Sequence, residues 1–209
     1  MTEAGQSFRA AEAAIAQALA DRSDTLDLNA PEFRELAVLP PSISQLTGLR
    51  VIELDYTKVA DISALRPLTG LRHLFLEWVP VRDLTPLSGM TGLTRLTLGN
   101  SHVEDIRPLR ALSALELLTL NNTGVSDLTP LVGLDHLTTL RIEETPIDDL
   151  TPLLRLPGLW DGTGVHGLGF AGCAAARDTP ELAAIACIED HAARAAALRK
   201  YLEAAQGQD

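Results

Sequence analysis

The sequence predicts an α/β solenoid: a curved rod with short parallel strands on its concave face, short 3₁₀ turns on its convex face, and a helical cap at each end. Three observations carry that prediction. Segments beginning at Leu49, Leu71, Leu93, Leu115 and Leu137 recur every 22 residues without a gap, and Leu159 keeps the register. Positions 4 and 6 of each segment, such as Leu74 and Leu76, are apolar and alternate with positions 3, 5 and 7, the period of a strand. Aromatic residues make up only 4% of the chain, so the core is built from Leu, Val, Ile and Ala.

The five segments read LRVIELDYTKVADISALRPLTG, LRHLFLEWVPVRDLTPLSGMTG, LTRLTLGNSHVEDIRPLRALSA, LELLTLNNTGVSDLTPLVGLDH and LTTLRIEETPIDDLTPLLRLPG. The pattern LxxLxLxx(T/N)xVxDLxPLxxLxx resembles the bacterial leucine-rich repeats of the internalin-like, 22-residue type, over roughly residues 26 to 165. One column departs from it. The ninth position, often Asn in that family, holds Thr57, Val79, Ser101, Thr123 and Thr145. Thr and Ser can bond backbone at the turn and Val79 cannot, so the side-chain ladder is weakened there.

Within each repeat, positions 1, 4 and 6 line the interior, and position 11 (Val59, Val81, Val103, Val125, Ile147) turns inward as the chain leaves the strand. Position 13 is Asp61, Asp83, Asp105, Asp127 and Asp149, whose expected task is accepting turn or helix-start N–H groups rather than binding a ligand. Thr85-Pro86, Thr129-Pro130 and Thr151-Pro152 read as an N-cap followed by Pro at the first helical position. Leu87, Leu109, Leu131 and Leu153 follow on the convex side, with room for about one turn. A single coil cannot bury its apolar side. Six or seven stacked at about 4.8 Å give a rod roughly 30–35 Å long.

The ends must be covered. Residues 1–22 predict an N-terminal helical cap with an apolar stripe of Phe8, Ala11, Ile15, Ala18 and Leu19. Residues 23–48 are an irregular first repeat, with Leu26 and Leu28 at strand positions and Ile43 and Leu46 on the return. Five regular repeats fill 49–158. Residues 159–178 read as an incomplete repeat and a Gly- and Ala-rich connection, with no apolar strand position at 162 and with Cys173 as a free or partly buried thiol. Residues 179–209 predict a C-terminal helical cap. There Thr179-Pro180 starts one helix, in which Cys187 packs as a small hydrophobe, and Asp190 starts another carrying Leu198, Tyr201 and Leu202.

Composition and motifs exclude several functions. An apolar content of 46% with 22% charged residues describes a folded chain. Its net charge of -11 opposes nucleic acid and anionic membranes alike, and the arginines Arg50, Arg72 and Arg95 are interleaved with acids. No apolar run reaches bilayer length, and the start MTEAGQSFRA lacks the features of an export signal. The expected location is therefore cytoplasmic, with delivery as a secreted effector left open. Two cysteines make neither a disulfide framework nor a zinc site. The five histidines are scattered, and HExxH, CxxC, GxSxG and GxxxxGK(S/T) are missing. The Gly-rich stretch from Gly162 to Gly172 lacks a phosphate-loop lysine. No catalytic residue, metal or cofactor is expected.

What remains is a surface. Phe75, Tyr56 and Trp78 lie on the concave face or its edge in the first two regular repeats, where large aromatics are costly to expose and typical of binding hot spots. Glu53, Asp55 and Glu77 add an acidic rim suited to a basic partner, and His73 and Arg95 complete the candidate set. The alternative is that the N-terminal cap folds over these rings, or that Trp78 packs on Pro80. The resemblance implies a noncatalytic scaffold recognising a protein or peptide. Two other readings stand beside it: a structural or self-assembling protein, and a regulatory or sensor subunit of a separately encoded effector.

Overall fold

The computed structural model describes residues 2–160 and 167–207. Seven short strands form one parallel sheet in chain order: β1 (Thr25–Asp27), β2 (Val51–Glu53), β3 (His73–Phe75), β4 (Arg95–Thr97), β5 (Leu117–Thr119), β6 (Thr139–Arg141) and β7 (Leu168–Gly169). Leu26, Ile52, Leu74, Leu96, Leu118, Leu140 and Leu168 stand in register across it. Opposite the sheet run 3₁₀ turns at Pro41–Gln45, Ser63–Leu65, Thr85–Leu87, Arg107–Ala111, Thr129–Leu131 and Thr151–Arg155. The architecture is the leucine-rich-repeat solenoid, and the columns of buried Leu, Ile and Val form one continuous core.

The five turns of the regular repeats each start on an aspartate. A carboxylate oxygen accepts the backbone N–H two residues on, from Asp61 to Ser63, Asp83 to Thr85, Asp127 to Thr129 and Asp149 to Thr151 at 2.8 Å, and from Asp105 to Arg107 at 2.9 Å. This corrects the reading of the Thr-Pro pairs. Thr85, Thr129 and Thr151 are the first 3₁₀ residues, and none supplies a side-chain cap. The threonines of position 9 act instead: Thr57, Thr123 and Thr145 donate to the carbonyls of Leu54, Leu120 and Ile142 at 2.7–2.8 Å. Val79 fills the same buried slot with methyl groups, and Ser101 Oγ finds no partner among the described residues.

Helix α1 (Glu3–Asp21) covers the first edge, packing on β1 and the turn at Pro31–Phe33. Its buried stripe is Ser7, Ala11, Ile15 and Ala18, at helical spacing. The stripe is turned slightly from the expected one, with Ser7 buried and its Oγ donating to the Glu32 carbonyl at 2.5 Å. Phe8 is only half-buried, and Leu19 is left 48% exposed.

At the other end the repeat resumes late. Leu140 pairs with Leu168, six residues beyond position 162, where a 22-residue step would fall. Residues 161–166 lie outside the described residues, and the expectation for position 162 lies with them. From Leu168 the columns return: Phe170 is buried at position 6, and Gly172 and Cys173 take positions 8 and 9. The Cys173 N–H donates to the Phe170 carbonyl at 3.2 Å, as Thr57 does to Leu54. Cys173 is thus fully buried in the solenoid. The expectation for Cys187 is reversed, since at the end of a helix it is exposed. Helices α2 (Ala174–Asp178), α3 (Pro180–Ala186) and α4 (His191–Gln206) close this end, with Asp190 accepting from the Ala193 N–H at 2.7 Å and Leu182, Leu198 and Leu202 buried.

Candidate binding surface

The first coils expose what the later coils satisfy internally. Position 8, where the chain leaves each strand, is left-handed throughout: Tyr56 φ 61°, Trp78 φ 59°, Asn100 φ 57°, Asn122 φ 52° and Glu144 φ 55°, with Gly172 at φ 68°. Gly and Asn enter this region readily, whereas other residues pay about 1–2 kcal/mol through the Cβ–carbonyl clash. Asn100 and Asn122 suit the backbone and join side chains, Nδ2 of Asn122 donating to Oδ1 of Asn100 at 2.9 Å. Tyr56 and Trp78 suit it poorly.

Those two rings lie nearly parallel, 11° apart with centroids separated by 6.4 Å, and they are 44% and 55% exposed. The cap does not fold over them. The guanidinium of Arg34 sits over the Tyr56 ring, 4.8 Å from its centroid. Beside them, His73 and Phe75 meet edge to face at 6.3 Å, both half-buried in the concave sheet. Burial, aided by the Arg95 charge, holds the His73 imidazole below its ordinary value. Arg95 is exposed and forms no ion pair among the described residues.

The carboxylates cluster on the same face. Asp55 is half-buried, and burial pushes its carboxyl up to about 6, with the charges of Glu77, Glu53 and Asp27 adding to the effect. Its Oδ1 accepts the Glu77 N–H at 2.7 Å, which opposes the shift. Glu77 Oε1 reaches across a whole coil to accept from Thr119 Oγ1 at 2.7 Å. The path lies over Gly99, where a Cβ would come within 2.5 Å of Glu77 Oε2. Asp27 was not in the predicted set, although the register of Leu26 and Leu28 places it in the column of Glu53 and Phe75. None of the four acids has an ion-pair partner among the described residues. Farther along, Arg141 neutralises Glu143 locally, with Nε to Oε1 at 2.6 Å.

The structure therefore brings Glu53, Asp55, Tyr56, His73, Phe75, Glu77 and Trp78 onto neighbouring coils, with Arg95 at the margin. Among the described residues no group of three or more His, Cys, Asp or Glu is placed to hold a metal ion, and no helix is long and apolar enough to cross a membrane. Burial raises the Cys173 thiol above its ordinary value, which disfavours the thiolate a nucleophile requires. His166, the nearest imidazole in sequence, lies outside the described residues.

The fold is a leucine-rich-repeat solenoid. Solved structures similar to it include three from Listeria monocytogenes. An internalin (inlF) superposes with TM-score 0.66 at 23% identity, over 81% of this chain and 55% of that one. Internalin C2 gives TM-score 0.61 at 27% identity, over 78% and 80%. The functional domain of InlJ, which includes a cysteine ladder, gives 0.58 at 19%, over 73% and 30%. The chain thus spans about half the length of the inlF structure. No protein-family profile and no curated protein sequence matches the chain.

Proposed function

We propose that the protein is a noncatalytic recognition scaffold that binds a protein or peptide with a basic surface through the N-terminal part of its concave face. The observation that carries this reading is the exposed Tyr56–Trp78 pair set beside four carboxylates without ion-pair partners among the described residues. Large rings supply contact area at little entropic cost, and unpaired acids attract and select a complementary charge. The likeness to internalins supports the scaffold class and leaves the partner to this chain's own surface. Self-assembly through an open strand edge has less support, since α1 packs on β1 and α4 on β7. The residues proposed to meet the partner are Glu53, Asp55, Tyr56, His73, Phe75, Glu77, Trp78 and Arg95.

Crosslinked capture from native lysate, read by mass spectrometry, tests this. Wild type is compared with the Phe75→Ala/Trp78→Ala variant, with circular dichroism confirming that both are folded. A basic protein captured by wild type and lost by the variant is the expected result. Equal capture by both places the binding surface elsewhere.

A further inference from the structure

The exit edge of the first two regular coils says more about the partner than its sign of charge. Tyr56 and Trp78 hold a backbone conformation that Asn100 and Asn122 occupy at lower cost in the next two coils. Glu144 shares that strain at φ 55°, so what sets Tyr56 and Trp78 apart is strain kept together with large rings left 44% and 55% exposed. The chain itself shows which group these rings accept, because Arg34 lies over Tyr56 with its guanidinium 4.8 Å from the centroid. Trp78, the more exposed ring, has no cation within that range among the described residues, and its neighbour in sequence is the carboxylate Glu77.

Resting on the recognition role proposed above, we infer that this ridge docks an extended basic segment, one Lys or Arg stem lying on the open Trp78 ring as Arg34 lies on Tyr56, with the charge of the segment matched to the acidic concave face of Asp27, Glu53, Asp55 and Glu77. The segment crosses the coils rather than pairing with a strand. An apolar occupant leaves four carboxylates desolvated and unmatched, and a second copy of a chain of net charge -11 brings like charge to an acidic face.

The test uses the full chain with Trp160→Phe, so that Trp78 is the one indole, and three extended octapeptides: (Ser-Lys)₄, (Ser-norleucine)₄ and (Ser-Glu)₄. The lysine peptide is expected to change Trp78 fluorescence with an affinity that weakens with salt. The norleucine and glutamate peptides are expected to leave it unchanged. Trp78→Asn, followed by NMR, is expected to weaken lysine-peptide binding at least tenfold while raising the urea midpoint of unfolding. Binding of the norleucine peptide equal to that of the lysine peptide overturns the inference, as does lysine-peptide binding indifferent to Trp78→Asn. Sedimentation showing a dimer that Trp78→Asn dissolves overturns it in favour of a second copy. If no peptide binds while capture still depends on Phe75 and Trp78, the inference fails and the recognition reading survives. Capture indifferent to both residues sinks the reading itself.

Discussion

Asp55 and Asp61 belong to the same coil and serve opposite ends. Asp61 lies in water at the start of the convex turn, where the N–H of Ser63 bonds its carboxylate and draws the carboxyl below its ordinary value. Asp83 is held down by the Thr85 hydroxyl and N–H, and Asp105, bonded by Arg107, lies at about 2. Asp55 receives one N–H as well, yet burial and three neighbouring acids raise it to about 6. A hydrogen bond of the same kind decides the outcome at Asp61 and is outweighed at Asp55. The convex aspartates help the solenoid fold. Asp55 works against it at neutral pH, and a cost kept at one place and avoided at its neighbours fits a surface shaped for a partner.

The largest effect expected from this contrast is at Asp55. Its raised carboxyl makes a contribution to stability that is fully present below its ordinary 3.8 and is lost as pH rises through about 6. Asp55→Asn keeps an oxygen for the Glu77 N–H and removes the charge. It should stabilise the fold by about 1–2 kcal/mol near pH 7.5, after allowance for partial solvent screening. The gain should shrink to nothing below about pH 4. Urea denaturation of wild type and variant across that range measures it, and a destabilised variant at neutral pH would break the contrast at its source. The same substitution should weaken capture of a basic partner.

Next in size is the opposite change on the convex side. Asp83→Ala removes the acceptor that starts the turn at Thr85 and should destabilise by about 1 kcal/mol at pH 7, as lost N-caps do. Because the Asp83 carboxyl is depressed, its contribution is present above the ordinary carboxylate value and is lost as pH falls through the folded value. The gap between wild type and variant should therefore narrow in acid, as it does for Asp55→Asn, but from the opposite side: at neutral pH Asp83→Ala is the less stable of its pair and Asp55→Asn the more stable. A stability change of the same sign in the two variants at neutral pH would show that the two aspartates do not differ as argued.

Much of this was legible in the sequence. An uninterrupted 22-residue period fixes the columns, and with them the buried Leu positions, the concave and convex faces, and the aspartates. Legibility ended where the period did. The longer step from Leu140 to Leu168 hides the return of Phe170 and Cys173 to the columns, so the sequence does not mark Cys173 as a core thiol. Asp27 sits in a first repeat that is also of irregular length, where only Leu26 and Leu28 mark its register. The left-handed backbone at position 8 has a signal in the sequence, since Asn100 and Asn122 share the column of Tyr56 and Trp78. The burial of Ser7 in α1 has none, because its bond to the Glu32 carbonyl is a contact between distant residues. Aromatic and acidic residues could be placed on one face by counting. That the rings stack, that Arg34 covers one of them, and that the acids lack cations required side chains in space.

The smallest expected effect separates the causes acting on Asp55. Glu77→Gln removes one negative neighbour while leaving an oxygen for the Thr119 hydroxyl and the backbone N–H that Asp55 accepts. Global stability should move by no more than about 0.5 kcal/mol, as for most substitutions that preserve their contacts. The Asp55 carboxyl, followed by carbon NMR, should fall only part of the way toward its ordinary 3.8, because burial is the first cause of its shift and Glu77 a lesser one. A complete return would make neighbouring charge the main cause, and a basic partner would then act chiefly by neutralising Glu77. A partial return leaves burial in command. In that case a partner that covers Asp55 deepens its desolvation, and only a cation set directly against the carboxylate offsets the cost.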